Sequence, residues 1–399
     1  PGVLVGVRIG NAGGLTLGLG EGEMFLASDI PAILEHTRRM VFLDSREMAV
    51  VTQEGYRCYT LEGTPVAKSV HTILWDPVLA QKGAYRHFMQ KEIFEQARSI
   101  TDTIRGRADF ERGRIHLENL EISPKEAQRL RRAFIVACGT SYHAALVGRF
   151  LLEAIARLPA EADIGSEFRY RDPIIEPNSA VLAITQSGET VDTLAAMEEA
   201  RRKGARLWSI VNVIGSQAHR IADACILMHA GPEIGVASSK AFTVSMVDEL
   251  LLALRLAELR ETMAPEAVQE QVQALARLPD WLGQALDRER EVEAVAQAYD
   301  RYEDFLYLGR GLLYPIALEG ALKLKELSYI HAEGYPAGEM KHGPIALIDE
   351  RMPTVALALQ DPVIYEKMLS QMEQVRARRG RVIALVTEGD RAAAARADA

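Results

Sequence analysis

Cysteine is scarce in this chain. Its three cysteines, Cys58, Cys138 and Cys225, are scattered, and none belongs to a C-x-x-C pair. The spacing therefore excludes the usual zinc and dithiol redox motifs. Such sparse use of cysteine favours the reducing environment of the cytoplasm.

Long apolar runs are also missing. No stretch of roughly 18 consecutive apolar residues occurs, so we expect no membrane-spanning segment. Hydrophobic residues make up 48% and charged residues 25% of the 399 positions, a composition that excludes disorder and collagen. We expect a soluble globular protein that is too long for one ordinary domain.

The chain has no excess of positive charge. It carries 46 basic and 55 acidic residues, a net charge of −9, and no long basic run. A nucleic-acid partner is therefore not expected. Because this net charge repels anions, an anionic ligand would have to be held by local dipoles and hydroxyl groups.

Motifs for common bound groups are missing as well. Neither G-x-G-x-x-G nor a Walker A pattern fits, which argues against a nucleotide cofactor. No group of His, Asp and Glu has the spacing of metal ligands. We expect neither a cofactor nor a metal.

Both ends of the sequence suggest a piece of a longer protein. Residue 1 is proline, and no signal peptide precedes the first strand-like run. At the other end, a predicted strand at 381–387 is followed only by a string of Ala, Arg and Asp. We expect truncation at both ends.

Short β-like runs separated by turns fill residues 15–70, a pattern typical of antiparallel sheet. Asp29 and Pro31 predict a helix start within it. A polar and aromatic stretch at 76–107 indicates a linker and a helix. Ser123, Pro124 and Glu126 then form a capping-box signature for a helix that we expect to reach residue 132.

Buried strands alternating with helices follow, as in parallel α/β sheets. Three strand-like runs at 134–139, 181–185 and 207–212 recur in the same order at 305–311, 354–359 and 382–387. This recurrence predicts two tandem doubly wound parallel sheets, joined by helices over 240–302. A chance alignment of apolar runs is the alternative.

The turn after the second of these strands is rich in hydroxyl groups. It reads Thr185, Gln186, Ser187, Gly188, Glu189 and Thr190 and leads into a predicted helix. Backbone amides, the helix dipole and hydroxyls together can hold a phosphate without a lysine. The alternative is that Ser187 and Thr190 only cap the helix.

A similar turn, Cys138, Gly139, Thr140 and Ser141, follows the first strand. In open parallel sheets ligands bind where the carboxyl ends of the strands meet, so we expect this turn to line the same pocket. Cys138 could be a nucleophile, but no base is evident near it. A small buried filler is the preferred interpretation.

The second copy carries titratable groups instead. Residues 315–332 form a predicted buried helix on which Glu319, Lys323 and Glu326 share one stripe. A carboxylate beside a lysine suits proton transfer, although a solvated ion-pair ladder is the alternative. His342 lies in a predicted loop and could open a sugar ring by acid–base action, or serve only as a hydrogen-bonding residue.

Six motifs occur in order along the chain: CGTS (138–141), SEFRYR (166–171), TQSGET (185–190), EIGVASSKAF (233–242), ALEGALKLKE (317–326) and GEMKHGP (338–344). Together they closely resemble the glutamine-dependent glucosamine-6-phosphate synthase family. The resemblance extends over essentially the whole chain.

The resemblance implies an α/β fold of two sugar-isomerase (SIS) domains behind part of a glutamine amidotransferase domain. Implied boundaries are residues 1–75 for the partial amidotransferase domain, 76–115 for a linker, 116–265 for the first SIS domain, 266–295 for a helical connector and 296–399 for an incomplete second SIS domain. The implied reaction makes glucosamine 6-phosphate from fructose 6-phosphate with ammonia from glutamine.

The resemblance also implies roles for individual residues. Ser141, Gln186, Ser187 and Thr190 would hold the sugar phosphate, with Cys138, Gly139, Thr140, Thr185 and Gly188 in the same two turns. Val236 and Ala237 would lie in a loop that contacts the sugar. Glu326 would move the proton between C1 and C2, supported by Lys323 and Glu319, and His342 would assist ring opening in a neighbouring subunit, which implies a homodimer.

Two departures from the family pattern matter. The family's amino-terminal cysteine nucleophile and its carboxyl-terminal lysine, which forms a Schiff base with the ketose, are missing from this sequence. Cys58 lies in a predicted strand and cannot replace the nucleophile. We expect the chain as given to bind fructose 6-phosphate but to complete little synthesis. A glutaminase-free sugar-phosphate isomerase or deglycase and a phosphosugar sensor are the alternatives.

Overall fold

A computed structural model describes residues 2–10 and 14–399 of the chain. The chain divides into two units, Pro1–Asp280 and Trp281–Ala399.

Antiparallel strands open the first unit, as the alternation of short β-like runs predicted. They form two four-stranded sheets, in the orders β1-β5-β6-β7 and β3-β2-β4-β8. The predicted helix start at Pro31 is confirmed, and Cys58 lies buried in β6. The elements are β1 (Val3–Arg8), β2 (Thr16–Leu19), β3 (Met24–Ala27), α1 (Pro31–Leu34), β4 (Arg39–Phe42), β5 (Glu47–Thr52), β6 (Gly55–Thr60), β7 (Pro65–Val66) and β8 (His71–Thr72).

A long helix and a short hairpin connect these sheets to the α/β part of the unit. After a 3₁₀ turn at Pro77–Ala80, helix α2 spans Phe88–Ile104 and packs against the later helix α8 (Lys240–Arg260). A hairpin of β9 (Ala108–Asp109) and β10 (Arg114–Ile115) follows. The boundaries given for a linker at 76–115 stay a prediction.

The predicted capping box is present at the start of α3 (Pro124–Arg129). The Ser123 side chain accepts a bond from the Glu126 amide, and the Glu126 carboxylate accepts one from the Ser123 amide. The Ser123 hydroxyl also donates to the Glu126 carboxylate at 2.6 Å, and this bond, the bond from the Ser123 amide and the Arg206 guanidinium lower the pKa of Glu126 to about 2. The helix ends at Arg129 rather than at residue 132, because β11 begins at Arg132.

A five-stranded parallel sheet forms the core of the rest of the first unit. Its order is β12-β11-β13-β14-β15, and every residue of β13 is buried. Its elements are β11 (Arg132–Ala137), α4 (Thr140–Ala154), β12 (Ala160–Ile164), α5 (Gly165–Phe168), β13 (Ser179–Thr185), α6 (Val191–Arg202), β14 (Arg206–Val211), α7 (Gln217–Ile221) and β15 (Ala224–Leu227).

Helices follow this sheet, as expected for residues 240–302. They are α8, α9 (Pro265–Leu275), α10 (Leu278–Leu286) and α11 (Glu289–Tyr299).

The second unit contains a four-stranded parallel sheet in the order β17-β16-β18-β19. Its elements are β16 (Asp304–Gly309), α12 (Leu313–Ser328), β17 (His331–Pro336), 3₁₀ turns at Ala337–His342 and Pro344–Leu347, β18 (Thr354–Ala358), α13 (Tyr365–Ala377), β19 (Val382–Val386) and α14 (Arg391–Ala394).

In both sheets the second strand of the copy lies at the edge beside the first, and the third and fourth follow on the other side. This common order confirms the predicted repeat. The prediction that the helix at 315 extends to 332 is wrong. Tyr329 adopts a left-handed conformation that ends the helix, and Ala332 pairs with Phe305 in the sheet.

Candidate functional site

The two hydroxyl-rich turns of the first unit lie side by side. Strands β11 and β13 pair in parallel, so the turns that follow them leave the same edge of the sheet. The order of the strands reverses between these two, which is where open α/β sheets bind ligands. Gly139 has a φ of 57° and precedes α4 directly.

The hydroxyls of the 185–190 turn bond mainly to one another and to the turn's own amides. Thr185 Oγ1 lies 3.1 Å from Thr190 Oγ1 and accepts a bond from the Gly188 amide at 3.2 Å. Ser187 Oγ accepts one from the Glu189 amide at 3.1 Å. Thr190 occupies the cap position of α6, but its side chain makes no capping bond. Simple helix capping therefore does not account for these hydroxyls.

The loop between β14 and α7 supports the 185–190 turn from behind. The Gly188 carbonyl accepts a bond from the Ala218 amide at 3.0 Å, and the Gln186 carbonyl accepts one from the Asn212 amide at 3.1 Å. Gly188 has a φ of 70°, and a Cβ placed there would lie 2.0 Å from Ser216 Oγ. Only glycine suits both this backbone conformation and this close contact.

The antiparallel layer contacts the same turn through Glu189. The Glu189 carboxylate forms a salt bridge with Arg8 of β1 at 2.7 Å and accepts two bonds from Gln217, at 3.0 Å from its amide and at 2.9 Å from its side chain. Next to this network is a cavity of about 320 Å³, whose lining includes Gln186, Ser187, Glu189, Glu233, Asp29 and Trp75. Burial raises the pKa of Asp29.

The loop at 233–239, called here the sugar loop, contains Val236 and Ala237. Val236 is fully exposed at its tip, whereas Ala237 is 5% exposed. The carboxylate of Glu233 folds back to accept bonds from the Ser239 and Ala241 amides, at 2.9 and 3.1 Å. Burial raises the pKa of Glu233, and these bonds oppose the shift.

In the second unit, α12 brings together three predicted residues. Lys323 Nζ lies 3.3 Å from Glu319 Oε1 and 2.5 Å from Glu326 Oε2. The side chains of Glu319 and Lys323 are 7% and 18% exposed, and that of Glu326 is 38% exposed. The lysine thus pairs with both carboxylates, and the outer one, Glu326, is accessible to a ligand.

A known protein family matches one segment in each of the two units. The model of the SIS domain family matches residues 128–255 and 303–399. The chain belongs to the SIS domain family. The two matched segments correspond to the two parallel sheets, so each sheet is one SIS domain.

Curated SIS proteins resemble most of the chain. It is 49% identical over 376 residues to a glutamine–fructose-6-phosphate aminotransferase (isomerizing) of Thermus thermophilus, covering 94% of this chain and 61% of that protein. The protein of the same name from Symbiobacterium thermophilum is 45% identical over 398 residues, covering 65% of its length. The chain thus spans somewhat less than two thirds of the curated relatives it matches.

A solved structure shows the same SIS architecture. The carboxyl-terminal domain of glucosamine-fructose-6-phosphate aminotransferase from Francisella tularensis superposes with a TM-score of 0.74 at 38% identity, covering 77% of this chain and 85% of that one. The resemblance inferred from the six motifs is thereby confirmed.

Two details of the second SIS domain differ from expectation. Helix α12 is buried in its first half, at Pro315, Ala317, Glu319 and Ala321, but exposed towards its end. The prediction of a wholly buried helix is therefore wrong, and Glu326 lies on the exposed part. His342 is exposed at the end of a 3₁₀ turn rather than in an irregular loop.

Cys138 is half-buried at the end of β11, where Thr193 Oγ1 approaches its sulfur at 3.6 Å. Gly165 also lies close to this sulfur, since a Cβ there would be 3.2 Å from it. This packing suits a small filler next to the turn. The binding roles predicted for Cys138, Gly139, Thr140 and Ser141 stay predictions.

The sequence analysis did not identify the charged residues that support the 185–190 turn and the sugar loop. These residues are Arg8, Glu92, Glu189 and Glu233. Glu189 and Glu233 lie inside recognised motifs, and that position was the only signal for them. The contacts of Arg8 and Glu92 span 181 and 142 residues of sequence, so no local pattern could reveal them.

Within residues 2–10 and 14–399, no group of three or more His, Cys, Asp or Glu side chains is placed to hold a metal ion. In the same part of the chain, no helix has the length and apolar character needed to cross a membrane.

Proposed function

We propose that this chain is the sugar-isomerase part of an enzyme that makes glucosamine 6-phosphate from fructose 6-phosphate and glutamine-derived ammonia. The ion-paired stripe Glu319–Lys323–Glu326 carries the proposal. The likeness to the aminotransferases of Thermus and Symbiobacterium supports the choice of substrate.

The phosphate would bind at the 185–190 turn, through backbone amides and the hydroxyls of Ser187 and Thr190, with Ser141 contributing from the neighbouring turn. The positive ends of α4 and α6 favour an anion there. Val236 and Ala237 of the sugar loop would contact the sugar.

Ammonia would add to the C2 carbonyl of the open-chain sugar with loss of water to form an imine. Glu326 would then take the proton from C1 and return it to C2, while the hydrogen of the C1 hydroxyl moves to the nitrogen, which gives the 2-amino aldose. Lys323 Nζ lies 2.5 Å from Glu326 Oε2 and would hold this carboxylate in position for proton transfer. Glu319 holds the other side of Lys323. His342 would assist ring opening in the site of a second copy, so we also propose a homodimer.

Ammonia would come from an amidotransferase domain, whose later part residues 1–75 resemble, and we propose the cytoplasm as the location. A simple phosphosugar isomerase is the competing enzyme. A phosphosugar sensor is the competing binding protein, and it would have no use for a lysine placed between two carboxylates.

Replacing Glu326 with Gln tests the proposal. We expect exchange of solvent deuterium into C1 of fructose 6-phosphate, followed by NMR, to fall by about 10²- to 10⁴-fold. Affinity for fructose 6-phosphate should stay within about twofold, because the carboxamide has the same shape.

Glu291→Gln is the matched control, since Glu291 is an exposed carboxylate of the same unit that pairs with Arg288 on α11. Its exchange rate should equal that of the unmodified chain. Equal loss of binding and exchange in Glu326→Gln would contradict the role given to Glu326.

A further inference from the structure

We propose that Glu92, on helix α2, is a positioning residue that holds the sugar loop in place for the sugar part of the substrate. It does so independently of the 185–190 turn, called here the phosphate turn. The inference rests on the proposed function and adds to it a residue from outside both SIS-family matches.

Glu92 bonds directly to the backbone of the sugar loop. Its Oε1 accepts bonds from the amides of Ile234 at 2.6 Å and Gly235 at 3.0 Å. The residue is 2% exposed, and its Oε2 is buried without a hydrogen-bond partner in the described part of the chain. A buried carboxylate that accepts hydrogen bonds from two consecutive backbone amides of a loop fixes the path of that loop.

The sequence of the loop is adapted to this contact. A Cβ at Gly235 would lie 2.6 Å from Glu92 Oε2 and 3.3 Å from the backbone nitrogen of Met89. Any other residue at 235 would push the loop away from α2. Val236, the next residue, is fully exposed and free of such packing.

The far end of the sugar loop is held separately. Glu233 accepts bonds from Ser239 and Ala241, as described above, and Lys240 pairs with Glu95 of α2 at 2.7 Å. Lys240 is 1% exposed, and its partner Glu95 is 17% exposed, so this ion pair is largely shielded from solvent. Both ends of the loop are thus fixed, and its exposed tip projects from a rigid base.

Helix α2 and the residues that follow it also bond to the segment just before the sugar loop and to helix α8. Ser99 donates to the Ala230 carbonyl at 3.1 Å, and Thr103 donates to the Met228 carbonyl at 2.6 Å. Arg107 pairs with the buried Asp248 of α8 at 2.9 Å. These bonds fix the register of α2, so Glu92 has a defined place relative to the sheet.

The sugar loop and the phosphate turn meet at one cavity. Glu233, at the start of the loop, lines the cavity that Gln186 and Ser187 also line. The position of the loop therefore sets the distance between the contacts for the sugar and those for the phosphate. Glu92 acts on the first set and touches neither Gln186 nor Ser187 in the described contacts.

The test compares two ligands on the full chain by calorimetry. Glu92→Ala should weaken binding of fructose 6-phosphate by about tenfold and leave binding of inorganic phosphate within twofold. Glu92→Gln keeps an acceptor oxygen and should restore fructose 6-phosphate binding to within about threefold. Arg98→Ala, at an exposed position of the same helix, is the control and should change neither affinity.

Unchanged fructose 6-phosphate binding in Glu92→Ala would overturn the inference alone. Parallel weakening of both ligands, with a lower melting temperature and no rescue by Gln, would also overturn it, because Glu92 would then only stabilise the fold. If the unmodified chain bound inorganic phosphate but not fructose 6-phosphate, the proposed function and the inference would both fail.

Discussion

The two SIS domains share a strand order but differ in what they place at the ends of their strands. In the first, the turn that follows strand β13 carries hydroxyls and a glycine in the left-handed conformation. In the second, the corresponding strand β18 is followed by Gln360 and Asp361, with no such cluster. The second domain instead has an ion-paired stripe on its first helix.

Under the proposed function, this difference shows how the two copies of a duplicated fold can take different tasks, phosphate binding in one and proton transfer in the other. Anion binding needs only backbone amides, hydroxyls and a helix end, which a tight turn supplies. Proton transfer needs a titratable group held beside a group of opposite charge. Residues three and four positions apart on one face of a helix supply such a pair. One fold provides both because turns and helix faces vary independently of the sheet.

Gly188→Ala should break the first domain's contribution most severely. The added methyl group would overlap Ser216 and displace the 185–190 turn. We expect inorganic phosphate affinity and deuterium exchange to fall by about a hundredfold or more, measured by calorimetry and NMR.

Gly204→Ala separates that overlap from backbone strain. Gly204 has a φ of 80°, and a methyl group added there would have no neighbouring atom within 4 Å, so its substitution costs only about 1–2 kcal/mol of stability. Phosphate affinity in this control should not change. If both variants lost affinity equally, the close contact with Ser216 would not matter.

Lys323→Met should affect only the second domain's contribution. Removing the cation between Glu319 and Glu326 takes away the ion-pair partner that holds the Glu326 carboxylate in position. We expect about a hundredfold slower deuterium exchange, with unchanged inorganic phosphate affinity.

Lys325→Met on the same helix is the matched control, because Lys325 is exposed, and its exchange rate should stay normal. Loss of phosphate affinity in Lys323→Met would contradict the division of labour between the two domains.

The last comparison concerns stability and its dependence on pH, and it leaves both proposed activities aside. Glu249 of α8 is completely buried, which raises its pKa well above the usual value of 4.5. The folded form keeps the proton while the unfolded chain loses it, so the free energy of unfolding is highest below pH 4.5. It should fall by about 1.4 kcal/mol per pH unit above that, up to the folded pKa.

Glu249→Gln should make this slope shallower in urea unfolding measured from pH 5 to 8, and the remaining slope is expected from the neighbouring Asp248, whose pKa burial also raises. Glu258→Gln, at a less buried position of α8, should keep the full slope. Asp349 of the second unit shows the opposite dependence, because the Arg351 side chain lowers its pKa. The contribution of Asp349 to the free energy of unfolding is present at neutral pH and is lost only as the pH falls through the lowered pKa. A similar slope in Glu249→Gln would mean that another group titrates.

Much of the fold could be read from local sequence. Six strands of the two parallel sheets, β11, β13, β14, β16, β18 and β19, were predicted within a few residues, because their sequences are continuous apolar runs of the kind found in parallel sheets. The edge strands β12, β15 and β17 were missed. β12 has no buried residue and β17 has one, so their sequences lack that signal.

The site was predictable where its parts are local. The 185–190 turn and the Glu319–Lys323–Glu326 stripe each lie within eight consecutive residues, so turn chemistry and helical spacing indicate them directly. The exposure of Glu326 was not predictable, because the burial of a helix depends on what packs against each of its turns.

The sequence by itself determined the two α/β repeats, the hydroxyl-rich turn and the charged stripe, since each depends on residues that are neighbours along the chain. Only the tertiary structure decided what supports them. Arg8 reaches Glu189, and Glu92 reaches Ile234 and Gly235, across more than 140 residues. Such pairs depend on how the antiparallel layer and helix α2 pack on the first sheet, and no local spacing encodes that packing.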